Sequence, residues 1–94
     1  MPTAVHGDFE WDENKATSNI AKHGVSFDAA ALAMRDVSAV DFEDLVVPGN
    51  LVTLAATPDG RIFYIVTTES SGRIRIISAR DVSRHERRLY EEGE

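Results

Sequence analysis

The sequence contains no cysteine, which excludes disulfide bonds, thiolate catalysis and cysteine-ligated metal sites. No apolar run approaches the roughly 20 residues that a membrane-spanning helix needs, and the N-terminus lacks the basic start and apolar stretch of a signal peptide. Internal repeats, Gly-rich phosphate loops, Ser-His-Asp elbows and zinc motifs are also missing. We therefore expect a cytoplasmic protein without membrane attachment.

The composition is otherwise that of a soluble globular protein. Of the 94 residues, 43% are apolar and 28% are charged, values near the averages for folded domains. A chain of this length forms one compact core, since single cores split into domains only well above about 200 residues. We expect one domain spanning residues 1–94, with enough apolar material for a modest core.

The charges are unevenly distributed. The net charge of −6 argues against loose nucleic-acid binding, because such binding depends on neutralising phosphates. Residues 1–47 carry nine acidic and three basic side chains, whereas residues 73–88 carry two acidic side chains and six arginines. A local basic stripe could hold one phosphate-rich ligand, and the acidic half could attract a basic protein.

The N-terminal third predicts a short strand and two helices. Phe9-Glu10-Trp11 alternates apolar and polar residues, as a half-buried strand does. Asp12 stands in an N-cap position and Gly24 in the left-handed position after a helix end, so a helix is predicted between them. Ser26 caps a second predicted helix, which runs from Phe27 to about Arg35.

The rest of the chain predicts strands and a closing helix. Strand-forming residues occur at Val37–Phe42, Leu51–Ala56, Ile62–Thr68 and Arg73–Ala79, separated by short turns. Ser83-Arg84-His85-Glu86 is a capping box that begins a helix reaching about Glu92. The predicted fold is α+β, an antiparallel β-meander of three to four strands with two N-terminal helices and one C-terminal helix.

Three stretches resemble the BrnT family of toxins from bacterial type II toxin–antitoxin pairs. The first is Phe9–Lys15, with its Trp-Asp start, and the second is Asn19–Ala30, with its Lys-His-Gly-Val-Ser-Phe turn. The third is Arg73–Arg80, followed by Glu86-Arg87 and Tyr90. Together they cover most of the chain in the family's order, which is more specific than any one short motif.

The resemblance implies a RelE-like fold, in which helices pack on one side of an antiparallel sheet. It also implies metal-independent, cofactor-free RNA cleavage and neutralisation by a small BrnA-like antitoxin of the ribbon–helix–helix type. The toxin–antitoxin complex would repress its own operon, so operator DNA is expected to bind only through the antitoxin. The chain departs from the family pattern at Pro48–Leu51 and at Ser70, where members often carry arginine.

Cleaving RNA without a metal needs a base for the 2′-hydroxyl proton, cations for charge on the phosphoryl oxygens and an acid for the leaving 5′ oxygen. Arginine suits the second task, because its planar fork binds two phosphate oxygens and stays charged. Arg80 is the first candidate, since it ends a strand just before the capped helix. The predicted RNA-binding residues are Arg73, Arg75, Arg84 and Arg88.

The predicted catalytic residues are Lys22, His23, Arg80, Glu86 and Arg87. Histidine changes protonation near neutral pH, lysine can contact phosphate, and Glu86 is a candidate base. Each also has an ordinary structural explanation. Cations at a helix C-terminus favour the helix dipole, the capping box accounts for Glu86, and the arginines could be solvated or paired with neighbouring acids.

Other chemistry-bearing residues have structural explanations. His85 is a weaker acid candidate on an exposed helix surface, while Trp11 and Tyr64 lie in strand-like segments and are predicted to belong to the core. His6, Asp8 and Glu10 have the alternate spacing of a ligand set. No fourth ligand accompanies them, so no metal site is predicted.

The leading interpretation is an endoribonuclease toxin that inhibits translation by cleaving RNA. One alternative is a toxin-fold binding module, weak or inert in catalysis, that acts with its antitoxin in transcriptional autorepression. The second is an interaction domain unrelated to toxins.

Overall fold

The computed structural model describes residues 2–93, which form three helices and one six-stranded sheet. The elements are β1 (Thr3–His6), β2 (Phe9–Asp12), α1 (Glu13–His23), α2 (Phe27–Ala33), β3 (Val40–Glu43), β4 (Asn50–Ala56), β5 (Ile62–Ser70), β6 (Arg73–Asp81) and α3 (Arg84–Glu92). The strands lie side by side in the order β1-β2-β6-β5-β4-β3. The predicted α+β class is confirmed. Within this described part of the chain, no helix is long and apolar enough to cross a membrane.

The predicted antiparallel meander of three to four strands is wrong. Strands β3 to β6 do form an antiparallel meander, but β1 and β2 extend it as a hairpin. β2 runs parallel to β6, with Phe9 opposite Ile74 and Glu10 opposite Arg75. The sheet is therefore mixed. A pairing between segments 65 residues apart leaves no local pattern in the sequence, which is why the prediction missed it.

The N-terminal hairpin is a further difference, because the sequence analysis predicts no strand before Phe9. Gly7 joins the two strands with a positive φ of 63°, a conformation that glycine adopts without steric cost. The imidazole of His6 stacks on the indole of Trp11, with 4.4 Å between ring centroids. This contact attaches β1 to a buried residue.

The helices begin where the sequence predicts. The carboxylate of Asp12 accepts hydrogen bonds from the backbone of the first turn of α1, and Ser26 does the same for α2. Ser83 and Glu86 form the predicted capping box of α3. Gly24 ends α1 with a φ of 71°. The second helix ends at Ala33, two residues before the predicted boundary.

The core lies between one face of the sheet and helices α1 and α2. Phe63 and Ile65 of β5 project from that face onto Phe27, Ala30 and Ala33 of α2, and all five are buried. The alanine side chains let the helix approach the sheet closely, so the aromatic rings fill the space between them. Trp11 meets Phe27 edge-on at 5.9 Å.

The third strand begins later than predicted, at Val40 rather than Val37. The carboxylate of Asp36 accepts hydrogen bonds from the backbone of Ser38 and Ala56, and this turn keeps the chain out of the sheet until residue 40. Val37 is consequently fully exposed.

The predicted RelE-like arrangement, with all helices on one side, also differs from what is observed. Tyr64 and Arg80 lie opposite each other on the sheet face that α1 and α2 leave uncovered. Glu86 of α3 binds Arg80 there. The last helix is therefore attached to the second face of the sheet.

Candidate functional site

A β-bulge brings the arginines of β6 onto one face. The β5–β6 register pairs Tyr64 with Arg80 and Thr68 with Arg75, and residues an even number apart in β5 project to the same side. In an unbroken β6, Arg75 and Arg80 would project to opposite sides. The register shifts between Val66 and Thr67, so that Ile77 is the extra residue of the bulge.

Arg73 belongs to the same face, since it pairs with Ser70. We call the residues Arg73, Arg75, Ser78 and Arg80 the arginine row. Arg73 is exposed, and the three others are half-buried. The helices α1 and α2 cover the opposite face, so this side of β6 is accessible along most of its length.

Arg80 is the most firmly held member of the arginine row. Its Nη1 and Nη2 atoms donate to the two carboxylate oxygens of Glu86, each at 2.9 Å, and Nη1 also donates to the backbone oxygen of Asp81. The guanidinium carbon lies 4.0 Å from the centroid of the Tyr64 ring, a favourable cation–π distance. The carboxylate and the ring together restrict the guanidinium to one orientation.

The Arg80–Glu86 pair also affects protonation. The hydrogen bonds from Arg80 hold the pKa of the Glu86 carboxyl below its ordinary value, and the same pair raises the pKa of Arg80. Glu86 further accepts a hydrogen bond from the backbone of Ser83 at 2.8 Å. A general base works best with a pKa near the operating pH, and the shift at Glu86 is away from that range.

Lys22 and His23 line a groove of ≈ 290 Å³ between α1 and β6. The groove also contains Lys15 from α1 and reaches Ser78 of the arginine row. It lies beside the part of β6 that extends beyond β2, because β2 pairs only with Ile74 and Arg75. Both predicted catalytic residues of α1 are therefore exposed in a groove that reaches Ile77 and Ser78 of β6.

Asn19 fixes α1 against this free edge of β6. Its side chain donates to the backbone oxygen of Ala79 at 2.7 Å and accepts from the backbone nitrogen of the same residue at 3.2 Å. It also donates to the backbone oxygen of Val25 at 2.9 Å. The side chain thus replaces a neighbouring strand for Ala79 and secures the turn after Lys22 and His23.

The remaining predicted residues are less closely associated. Arg75 forms an ion pair with Glu10 of β2. Arg84, Arg87 and Arg88 lie on α3, and all three are exposed. The structure therefore places three arginines on one sheet face and three on the adjoining helix, and it ties these two groups together through Arg80 and Glu86.

Two of the three residues with ligand-like spacing at the N-terminus, His6 and Glu10, make other contacts. His6 stacks on Trp11, and Glu10 binds Arg75. Across residues 2–93, no group of three or more acidic or histidine side chains is placed to hold a metal ion. Trp11 is 4% exposed and belongs to the core as predicted.

Three structural features of the site were not predicted from the sequence. Tyr64 is half-buried beneath Arg80 rather than enclosed in the core. Asn19 gave one weak signal, because asparagine in a helix interior is unfavourable without a side-chain partner. Tyr90 donates to Asp36 and fastens the end of α3 to the loop after α2, a contact between residues 54 apart that no local pattern shows.

Comparison with known proteins agrees with the resemblance seen in the sequence. Residues 11–86 match the family described as the ribonuclease toxin, BrnT, of type II toxin–antitoxin systems. The match includes Lys22, His23, Arg80 and Glu86 but ends before Arg87. No curated protein sequence matches the chain.

A solved structure is also similar. The crystal structure of the Brucella abortus ribonuclease toxin BrnT superposes with a TM-score of 0.64 at 26% sequence identity, over 79% of this chain and 94% of that one. The family match covers well over half of the chain, and the solved structure shares its fold. The chain therefore belongs to the BrnT family of ribonuclease toxins from type II toxin–antitoxin systems.

Proposed function

We propose that this protein is a metal-independent endoribonuclease that inhibits translation by cleaving RNA in the cytoplasm. A BrnA-like ribbon–helix–helix antitoxin neutralises it, and operator DNA is bound only through that antitoxin. The observation that carries the enzymatic part is the position of Arg80, held over Tyr64 by Glu86 on the same sheet face as Arg73 and Arg75.

Arg80 keeps donors for a phosphate despite its partners. A guanidinium has five N–H donors, and Glu86 and Asp81 engage three of them. Within the described chain, Nε and the second proton of Nη2 are left for the phosphoryl oxygens. The side chain is 38% exposed, and the proposal places the phosphodiester at these two donors.

In this proposal the groove between α1 and β6, which is lined by Lys22, His23 and Ser78, supplies the acid–base groups. His23 takes the proton of the 2′-hydroxyl, the 2′ oxygen attacks phosphorus, and the bond from phosphorus to the 5′ oxygen breaks. The protonated Lys22 side chain gives its proton to the leaving 5′ oxygen, and Arg87 stays charged and adds to the electrostatic stabilisation. The products are a 2′,3′-cyclic phosphate and a 5′-hydroxyl, and Arg80 stabilises the charge that develops on the phosphoryl oxygens.

Two substitutions test this proposal directly. Arg80→Ala should lower the rate of RNA cleavage, measured with a metal chelator present, by about 100-fold or more, as the loss of one oxyanion donor does elsewhere. Arg61→Ala is a matched control. Arg61 also forms an ion pair, with Asp81 at 3.1 Å, and also lies over an aromatic ring, that of Phe63 at 4.9 Å.

The control separates loss of chemistry from loss of stability. Both variants lose one ion pair and one cation–π contact, but only Arg80 belongs to the arginine row. We expect Arg61→Ala to cleave RNA like the wild type. Equal loss of cleavage in the two variants, or wild-type protein that leaves RNA intact, would contradict the nuclease proposal.

The two carboxylate pairs support a second candidate, a toxin-fold module with weak or no catalysis that acts in transcriptional autorepression. Glu86 and Glu10 occupy part of the donor capacity of Arg80 and Arg75, which weakens their binding of phosphate. This candidate predicts a tight complex with the antitoxin and binding of that complex to operator DNA, without RNA cleavage. A mobility-shift assay run beside the cleavage assay distinguishes the two.

A further inference from the structure

The hairpin between β3 and β4 exposes an unusual run of apolar side chains. Leu45 is 95% exposed, Val46 is 86% exposed and Val47 is half-exposed. Phe42 and Leu51, at the two ends of the same hairpin, are also exposed. Three consecutive exposed apolar residues are unfavourable on a free surface, so this hairpin has the character of a surface that a partner covers.

The exposed run is held in a defined conformation. The Asp44 carboxylate accepts hydrogen bonds from the backbone nitrogens of Val46 and Val47. The backbone nitrogens of Asp44 and Asn50 donate to the backbone oxygens of Asn50 and Val47, respectively. The loop thus presents Leu45 and Val46 from a hydrogen-bonded frame, and a partner that binds there does not first have to order it.

The hairpin also ends the sheet. β3 is the last strand and pairs with β4 on one side, so its other side presents backbone donors and acceptors to solvent. An extended peptide can add to such an edge as a further strand. We call β3 and the loop from Asp44 to Val47 the edge hairpin.

The charge around the edge hairpin indicates the chemistry of the partner. The segment between Arg35 and Arg61 contains no lysine, arginine or histidine. Three of its five acidic residues, Asp41, Glu43 and Asp44, belong to the edge hairpin. The other two, Asp36 and Asp59, lie near the opposite end of β4. An acidic rim around an apolar centre complements a segment that carries apolar and basic side chains together.

The same charge argues against two other occupants. RNA would bring phosphates to an acidic surface, and the edge hairpin lies three strands, or about 14 Å at the usual strand spacing, from β6. A second copy related by a two-fold axis would place identical acidic rims against each other. Neither arrangement is favourable.

We propose that the edge hairpin is the docking surface for the cognate antitoxin, through an extended segment of that protein that carries both apolar and basic residues. The antitoxin adds this segment beside β3, with apolar side chains over Leu45 and Val46 and a basic side chain opposite Glu43. This inference rests on the proposed function for the existence of the antitoxin. It assigns the antitoxin to the edge hairpin, a surface separate from the arginine row.

The probe is the purified product of the reading frame adjacent to the toxin gene, titrated calorimetrically against the full chain. The double substitution Leu45→Asp and Val46→Asp should weaken binding by about 100-fold, as removal of central interface contacts does. Val37→Asp is the matched control, because Val37 is fully exposed but lies outside the edge hairpin. It should bind like the wild type. Glu43→Lys should weaken binding and reduce its dependence on salt.

The outcomes separate this inference from the nuclease proposal. The double variant should still cleave RNA, but the antitoxin should no longer suppress that cleavage. If the double variant binds the antitoxin as tightly as the wild type does, the proposed docking surface is wrong. It is also wrong if the antitoxin does not bind the wild-type chain. A dimer of the chain alone that the double variant converts to a monomer would identify the surface as a self-interface and also overturn it. Absence of RNA cleavage by the wild type would contradict only the nuclease proposal, because the titration does not depend on catalysis.

Discussion

Replacing Asn19 by alanine should destabilise the protein more than truncating any exposed side chain of α1. The Asn19 side chain belongs to a residue that is 6% exposed, and it makes three hydrogen bonds that join α1 to β6 and to the turn after α1. Alanine removes all of them. The backbone N–H and C=O of Ala79 and the C=O of Val25 then lose their partners.

The magnitude follows from these three groups. A typical intramolecular hydrogen bond contributes about 1 kcal/mol net, so the substitution should lower the free energy of unfolding by about 3 kcal/mol. A domain of this size has a total stability of about 5–15 kcal/mol, and each kcal/mol shifts its Tm by about 4–8 °C. The variant should therefore stay folded and melt about 12–24 °C lower.

Urea denaturation followed by circular dichroism measures this change. Ser18→Ala, an exposed neighbour in α1 that lines the same groove, is the control and should change stability by no more than about 0.5 kcal/mol. Asn19→Asp keeps the shape but removes the donor. It should be less stable than Asn19→Ala at neutral pH and recover on acidification, when the carboxyl regains a proton to donate. A cost below about 1 kcal/mol for Asn19→Ala would refute the idea that its bonds replace a strand.

Two further predictions concern the attachment of α3. The pKa of Glu86 is depressed by its bonds with Arg80, so this pair stabilises the fold above the unfolded pKa and stops doing so as pH falls through the folded pKa. Glu86→Gln should lower the free energy of unfolding by about 1 kcal/mol at neutral pH. The value is small because Arg80 is 38% exposed, and solvent screens the pair. The difference in stability between the wild type and Glu86→Gln should vanish on acidification. A difference that does not change with pH would contradict this prediction. The hydrogen bond to Asp36 raises the pKa of Tyr90 to about 12. Tyr90→Phe removes this bond and should lower the free energy of unfolding by about 1 kcal/mol. It should also remove the highest step from a spectrophotometric tyrosine titration, and an unchanged titration would show that the contact does not form.

The parts of the fold that the sequence predicted have local causes. Asp12, Ser26 and Ser83 each cap the helix that follows within a few residues, and Gly24 ends a helix at the next position. The strands of the meander follow one another through short turns. In each case the residues that decide the structure are close together in the chain, so their pattern can be read without knowing the tertiary contacts.

The missed features depend on distant residues. The parallel pairing of β2 with β6 and the bonds of Asn19 to Ala79 join segments about 60 residues apart. The bulge at Ile77 leaves no mark in a strand of isoleucines and arginines. Simple alternation places Arg73 and Arg75 on one face of β6, but it would place Arg80 on the other, and only the bulge brings all three together.

The arginine row also reconciles an acidic protein with a proposed RNA substrate. Each of its two half-buried arginines forms an ion pair with a glutamate, Arg75 with Glu10 and Arg80 with Glu86. The positive charge available to any polyanion is therefore already partly neutralised. Loose binding driven by phosphate neutralisation is therefore weak. A phosphodiester that fits the two remaining donors of Arg80 gains directional hydrogen bonds that a general electrostatic encounter does not provide. In the proposed nuclease, the glutamates reduce non-specific affinity and orient the arginines for one substrate geometry, and they weaken the binding that unpaired arginines would give.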